Sequence, residues 1–176
     1  MALRRAHLLT AAAVLAVAPL SACGSGSSAD EAAASPAPGI TRPRTVLSIT
    51  DPWVKAADSG MSAAFGTLVN TTDKPVTVVS ATSSASPVIE LHEVVSQDGK
   101  AVMRPKKGGF VIPARGSHRL TPGGDHIMLM DVKQKMEPGG QVSFTLRLGD
   151  GSTYTFTAVV KHFTGAKETY DPDHHG

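Results

Sequence analysis

Nine short apolar, β-branched runs, separated by turn signals, constrain this chain more than any other feature. They are 45–49, 63–69, 76–81, 88–95, 101–103, 110–112, 126–131, 141–148 and 153–160. Asn70-Thr71-Thr72-Asp73, Asp98-Gly99, Pro122-Gly123-Gly124, Pro138-Gly139-Gly140 and Asp150-Gly151 punctuate them. Residues of these types supply the left-handed or sharply bent backbone that chain reversal needs. No stretch sustains a helical period. Many short strands with regular turns predict an all-β domain built as an antiparallel β-sandwich, and the last hairpin, 142–160, alternates cleanly enough to bury one face.

Within that frame, two imidazoles and two thioethers stand at His92, Met103, His126 and Met128, separated by ten, twenty-two and one residues. Imidazole is a borderline donor, whereas thioether sulfur is soft and uncharged, so this mixture favours Cu(I) over zinc, calcium or magnesium. Local geometry makes each pair plausible. If Asp98 and Gly99 are the central residues of a type I′ turn, Gln97 faces Lys100, Val94 faces Met103 and His92 faces Pro105. His92 then shares a face with Met103, diagonally across the hairpin. Alternation along His126-Ile127-Met128-Leu129-Met130 places His126, Met128 and Met130 on one face. Nothing local brings the two pairs together. A methionine by itself is more often a core residue than a ligand; the joint pattern carries the expectation. Met130 is expected to pack, with an auxiliary ligand role as the alternative. Met61 and Met136 are expected to be packing or surface residues.

Val88-Ile89-Glu90-Leu91-His92-Glu93, the later Met103, Ile112-Pro113-Ala114 and the run from Pro122 to Met130 resemble the periplasmic copper chaperones of the PCu(A)C family. Their signature is H-x10-M-x21/22-H-x-M, which this chain matches with the longer middle spacing. The resemblance spans roughly Ile49 to Val160 and includes Asp51-Pro52-Trp53, Met61-Ser62-Ala63-Ala64-Phe65 and the Asn70-Thr71-Thr72 turn. It implies a cupredoxin-like β-sandwich that binds Cu(I) near its surface. It also implies a copper-accepting partner, the CuA centre of cytochrome c oxidase or another copper chaperone.

Arg4-Arg5 and the uncharged run from Leu8 to Leu20 read as a secretory signal over residues 1–22, too short to span a membrane comfortably. Leu20-Ser21-Ala22-Cys23 resembles a lipobox, so Cys23 is the expected lipidation site. General secretion is favoured over twin-arginine export, because most signals carry a basic start. Residues 24–39, almost entirely Gly, Ala, Ser and Pro, form a tether that could reach about 50 Å. These features place an exported lipoprotein on the outer side of the cytoplasmic membrane, in the periplasm or at the cell surface. Residues 40–164 form the copper-binding domain, and 165–176 an expected disordered tail, in which His174 and His175 are candidate auxiliary copper ligands.

Cys23 is the single cysteine. An internal disulfide and a C-x-x-C redox centre are excluded, and a blue-copper site, which needs a thiolate, is disfavoured. Seventeen Lys and Arg oppose fifteen Asp and Glu, and removing the signal leaves fifteen against fifteen. Such a neutral chain has no general field for nucleic acid, and Lys106-Lys107 and Arg115 to Arg119 read as solvated loops. No G-x-S-x-G elbow or ordered Ser-His-Asp set is present, and Glu90 and Glu93 lack a facing carboxylate for acid–base work, so no enzyme is expected. His118 reads as a surface residue. The competing functions are copper buffering in the envelope and a metal-free interaction sandwich.

Overall fold

The computed structural model describes residues 45–166 and 168–170. The signal segment, Cys23, the tether, His174 and His175 lie outside the described residues. Eleven strands and no helix occur among the described residues. They are β1 (Leu47–Lys55), β2 (Gly60–Asn70), β3 (Val76–Ser83), β4 (Ile89–Gln97), β5 (Lys100–Pro105), β6 (Phe110–Ile112), β7 (Ser117–Leu120), β8 (His126–Val132), β9 (Gln141–Leu148), β10 (Thr153–Lys161) and β11 (Thr169–Tyr170). Every run expected to be a strand is one. β1 is longer than its apolar run, continuing through Asp51-Pro52-Trp53 across a register shift where Asp51 takes a positive φ of 49°.

Hydrogen bonding follows the order β11-β5-β4-β8-β2-β1-β10-β9-β3-β6, with β7 also on β2. β2 is shared: Gly60 to Ala64 pair with β8, while Gly66 to Val69 pair with β7. The path folds over on itself. One buried cluster joins Leu68, Leu91, Ile127 and Leu129 from one end to Val78, Phe110, Phe144, Leu146 and Val160 from the other. Two stacked layers with one shared core constitute the sandwich. Alternation supplies this core directly, since β9 buries Val142, Phe144, Leu146 and Leu148 and turns the residues between them outward.

The sandwich is not antiparallel throughout. β1 and β10 run parallel, with Trp53 opposite Val159 and Lys55 opposite Lys161. Parallel neighbours cannot be joined by a tight turn, so no local signal announces them. Two elements also depart from expectation. Ser117–Leu120 is a strand, held by four residues of β2 rather than by an apolar run of its own. The tail from Ala166 is not wholly disordered, because Thr169 and Tyr170 pair in parallel with Val102 and Met103. A polar two-residue strand has no periodicity to read; it exists because β5 presents an edge.

The turns behave as their residues require. Asp98 and Gly99 both have positive φ, 51° and 75°, and β4 pairs with β5 through Gln97↔Lys100, Val94↔Met103 and His92↔Pro105. At Gly109, also at positive φ, a Cβ would lie 1.9 Å from the Val78 carbonyl oxygen, so only glycine lets β6 reach β3.

Candidate metal centre

The β4–β5 hairpin and β8 meet through antiparallel pairing of β4 with β8, in which His92 stands directly opposite His126. Their rings lie 5.5 Å apart at 66°. Glu90 and Ala63 flank Met128 from β4 and β2. Ala63 is small, which leaves room for the thioether beside it. Met103 and Met128 share a compact cluster with Ala63 and Phe65, against which Trp53, Val94, Met130 and Tyr170 pack. Met130 therefore borders the methionine pair. Ile127 and Leu129, on the opposite face of β8, belong to the main core.

All four side chains are sheltered: His92 is 0% exposed, His126 4%, Met103 8% and Met128 4%. A cavity of about 200 Å³ opens among Met103, His126, Met128, Phe65, Met61 and Glu168. His92 does not line it and sits under Tyr170, whose ring stacks on the imidazole at 5.5 Å and 9°. The aromatic wall continues from His126 to Phe65 at 6.2 Å, from Phe65 to Trp53 at 4.5 Å, and from Trp53 to Phe163 at 5.3 Å.

Hydrogen bonding assigns a tautomer to each imidazole. Glu90 Oε2 lies 2.7 Å from His92 Nε2, and because a carboxylate only accepts, Nε2 carries the proton and Nδ1 keeps its lone pair. His92 Nδ1 is buried and has no hydrogen-bond partner. His126 Nδ1 donates to the Gly124 carbonyl at 2.9 Å, which leaves its lone pair on Nε2. That carbonyl is positioned by the tight Thr121–Gly124 turn, closed by Gly124 N–H donating to Thr121 at 3.0 Å.

Burial holds both imidazoles below the usual histidine range. For His92 the loss of solvent outweighs the hydrogen bond and charge of Glu90. For His126 burial outweighs the Gly124 bond, the neighbouring His92 lowers it further, and Glu168 and Asp125 oppose. Both rings are thus neutral near pH 7, the form that can bind a metal. Among the described residues no group of three or more His, Cys, Asp or Glu is arranged to hold an ion.

Several residues around this centre were not apparent beforehand. Glu90 looked idle as an acid, but it lies two residues from His92 on the same face of β4, and that i, i+2 spacing was the available signal. Tyr170 gave none. His118 is not a simple surface residue: its Nε2 lies 2.8 Å from Asp125 Oδ2, and its ring stacks on Phe110 at 5.1 Å. Lys106 is not merely solvated either, bonding Glu93 at 2.9 Å and approaching Asp125 at 3.4 Å. These ion pairs tie the neighbours of both histidines together. Met136 is buried in the main core, whereas Met61 is half exposed.

Comparison with known proteins places the chain in a family. Residues 47–160 match the family described as "Putative lipoprotein LpqE-like". The "Putative lipoprotein Lxx21020" of Leifsonia xyli subsp. xyli is 48% identical over 124 residues, covering 70% of this chain and 75% of that protein. Among solved structures, CuI-DR1885 from Deinococcus radiodurans is 30% identical with a TM-score of 0.52, over 70% of this chain and 85% of that one. The copper-bound PCuAC domain from PmoF2 shares the fold at 21% identity and a TM-score of 0.54, over 67% of this chain and 94% of that one. Matched across its whole sandwich, the chain belongs to the LpqE-like family and has the cupredoxin-like fold of the PCuAC copper chaperone domains.

Proposed function

We propose that this protein is an exported copper chaperone that carries one Cu(I) on His92 Nδ1, His126 Nε2 and the sulfurs of Met103 and Met128. The orphaned Nδ1 of His92 carries the reading. Leaving a buried polar atom unpaired costs about 1–3 kcal/mol, so a protein tolerates it where a partner arrives in use. Cu(I) is such a partner, and the copper-bound state of relatives with this fold supports it. The ion is cargo. Two neutral imidazoles and two thioethers add no charge, so a recipient's thiolates can displace them one at a time without separating an ion pair.

Cys23 anchors the chain to the outer side of the cytoplasmic membrane, and the tether lets the domain reach a membrane-bound recipient. The CuA centre of cytochrome c oxidase is the recipient the family resemblance favours. The protein acts as a carrier rather than an enzyme.

An anaerobic Cu(I) titration of the whole chain against a chromophoric chelator tests the binding step, beside a Met103→Leu, Met128→Leu double variant. One tight equivalent, abolished in the variant, is expected; equal binding by both would remove the methionines from the ligand set. Deletion in the host tests delivery, for which an oxidase defect rescued by added copper is expected. Copper sensitivity with normal respiration would instead indicate envelope buffering.

A further inference from the structure

Met61 belongs to none of the ligand pairs, yet its position is unusual. It is 50% exposed, in contrast to the buried Met103, Met128 and Met136. It also lines the same cavity as Met103, Met128 and His126. Its side of β2 is the site's side, since Ala63 and Phe65, two and four residues on, pack in the methionine cluster. The ladder between β2 and β8 is irregular at this point. Gly60 faces Val132 and Ser62 faces Leu129, so Met61 alone opposes both Met130 and Asp131. Bulges of this kind re-aim side chains and concentrate beside functional sites. One thioether thus stands in solvent at the mouth of a cavity whose inner wall carries two more thioethers and an imidazole. Glu168 adds a carboxylate to the same lining, a favourable charge for an approaching monocation.

We infer that Met61 is a landing ligand, a transient Cu(I) site at the cavity mouth through which the ion enters and leaves the buried set. The inference rests on the copper reading above. In loading, a Cu–S bond to Met61 forms as a bond to the donor breaks. The ion then exchanges that bond for those to Met128, Met103 and the histidines. Unloading reverses the order. Copper stays Cu(I) and no proton moves, because a thioether is neutral both free and bound. A flexible, unbranched, polarizable side chain suits a ligand that must reach both outward and inward.

A landing ligand stabilises the exchange pathway without favouring either end state. Its loss should slow loading and unloading alike and leave affinity unchanged. The test is stopped-flow transfer of Cu(I) between the full chain and bicinchoninate in both directions, with equilibrium affinity measured in parallel, for the native protein and Met61→Leu. At a half-exposed position this substitution has little bearing on folding. Both rate constants should fall by about tenfold, the consequence of losing one weak donor in the transition state, with Kd constant. Unchanged rates would make Met61 an ordinary surface residue. A weaker Kd with faster unloading would make it a resident ligand, which also overturns the inference. Failure of the native protein to bind Cu(I) at all would strike the copper reading itself, which distinguishes the two failures.

Discussion

The two faces of β8 are buried to similar depth and do opposite things. Ile127 and Leu129, both fully buried, meet the apolar core shared by the two layers. His126 and Met128 turn to a smaller cluster beside an open cavity, where a neighbouring imidazole nitrogen has no partner. The first face exchanges water for close packing. The second face sets an imidazole and a thioether against a second imidazole and a second thioether. Burial alone therefore does not distinguish core from site in this domain; the satisfaction of polar atoms does.

The sharpest way to break that contrast is to substitute neighbours on opposite faces. Leu129→Ala should destabilise the domain by about 2–5 kcal/mol, read by chemical denaturation, because it opens a cavity in the shared core. Copper affinity of the folded fraction should be retained. Met128→Leu nearly conserves volume and should cost less than about 1.5 kcal/mol, yet weaken Cu(I) binding strongly. If the two variants lost stability and affinity in the same proportion, the faces would not be functionally separate.

Glu90→Ala probes the orientation of His92 rather than its burial. Removing a partner that fixes a metal-binding histidine commonly lowers metal affinity about 10–100-fold. That loss is expected here, together with a mixed His92 tautomer by nitrogen NMR. A single tautomer with full affinity would show that the carboxylate does not orient the ring.

Tyr170→Ala should be milder. An aromatic pair contributes about 0.5–1.5 kcal/mol beyond its buried area, so a stability loss of that order is expected, with greater solvent access to His92 by hydrogen exchange.

The pH response should be gentlest and separates the faces once more. His92 and His126 are both lowered from 6.5 in the folded state, chiefly by burial. The unfolded chain therefore takes up protons first. Metal-free stability should be complete above about 6.5 and decline as pH falls through that value toward the lowered folded pKa of each ring. Cu(I) affinity should fall over the same acid range, since proton and metal compete for one lone pair. Binding unaffected by acid would exclude the histidines.

How much of this was legible depends on the distance over which each interaction is decided. The β4–β5 register was readable because Asp98 and Gly99 fix it within a few residues. So was the separation of His126 and Met128 from Ile127 and Leu129, which only needs strand alternation. The meeting of His92 with His126 was not, because β4 and β8 are joined by twenty-eight residues of turn, strand and loop, 98–125. The stack of Tyr170 on His92 was hidden more deeply, in a polar segment whose strand character is borrowed from β5.

The chain by itself determined the all-β class, the hairpin around Asp98-Gly99 and the chemical softness of the donor set, since turn geometry, side-chain alternation and donor type are properties of neighbouring residues. Only the tertiary structure decided that His92 stands against His126 and Met103 beside Met128, which nitrogen of each imidazole carries the proton, and that β1 and β10 run parallel. Those outcomes depend on strands remote in sequence competing for the same hydrogen bonds and the same core, a competition that is resolved only when the layers close.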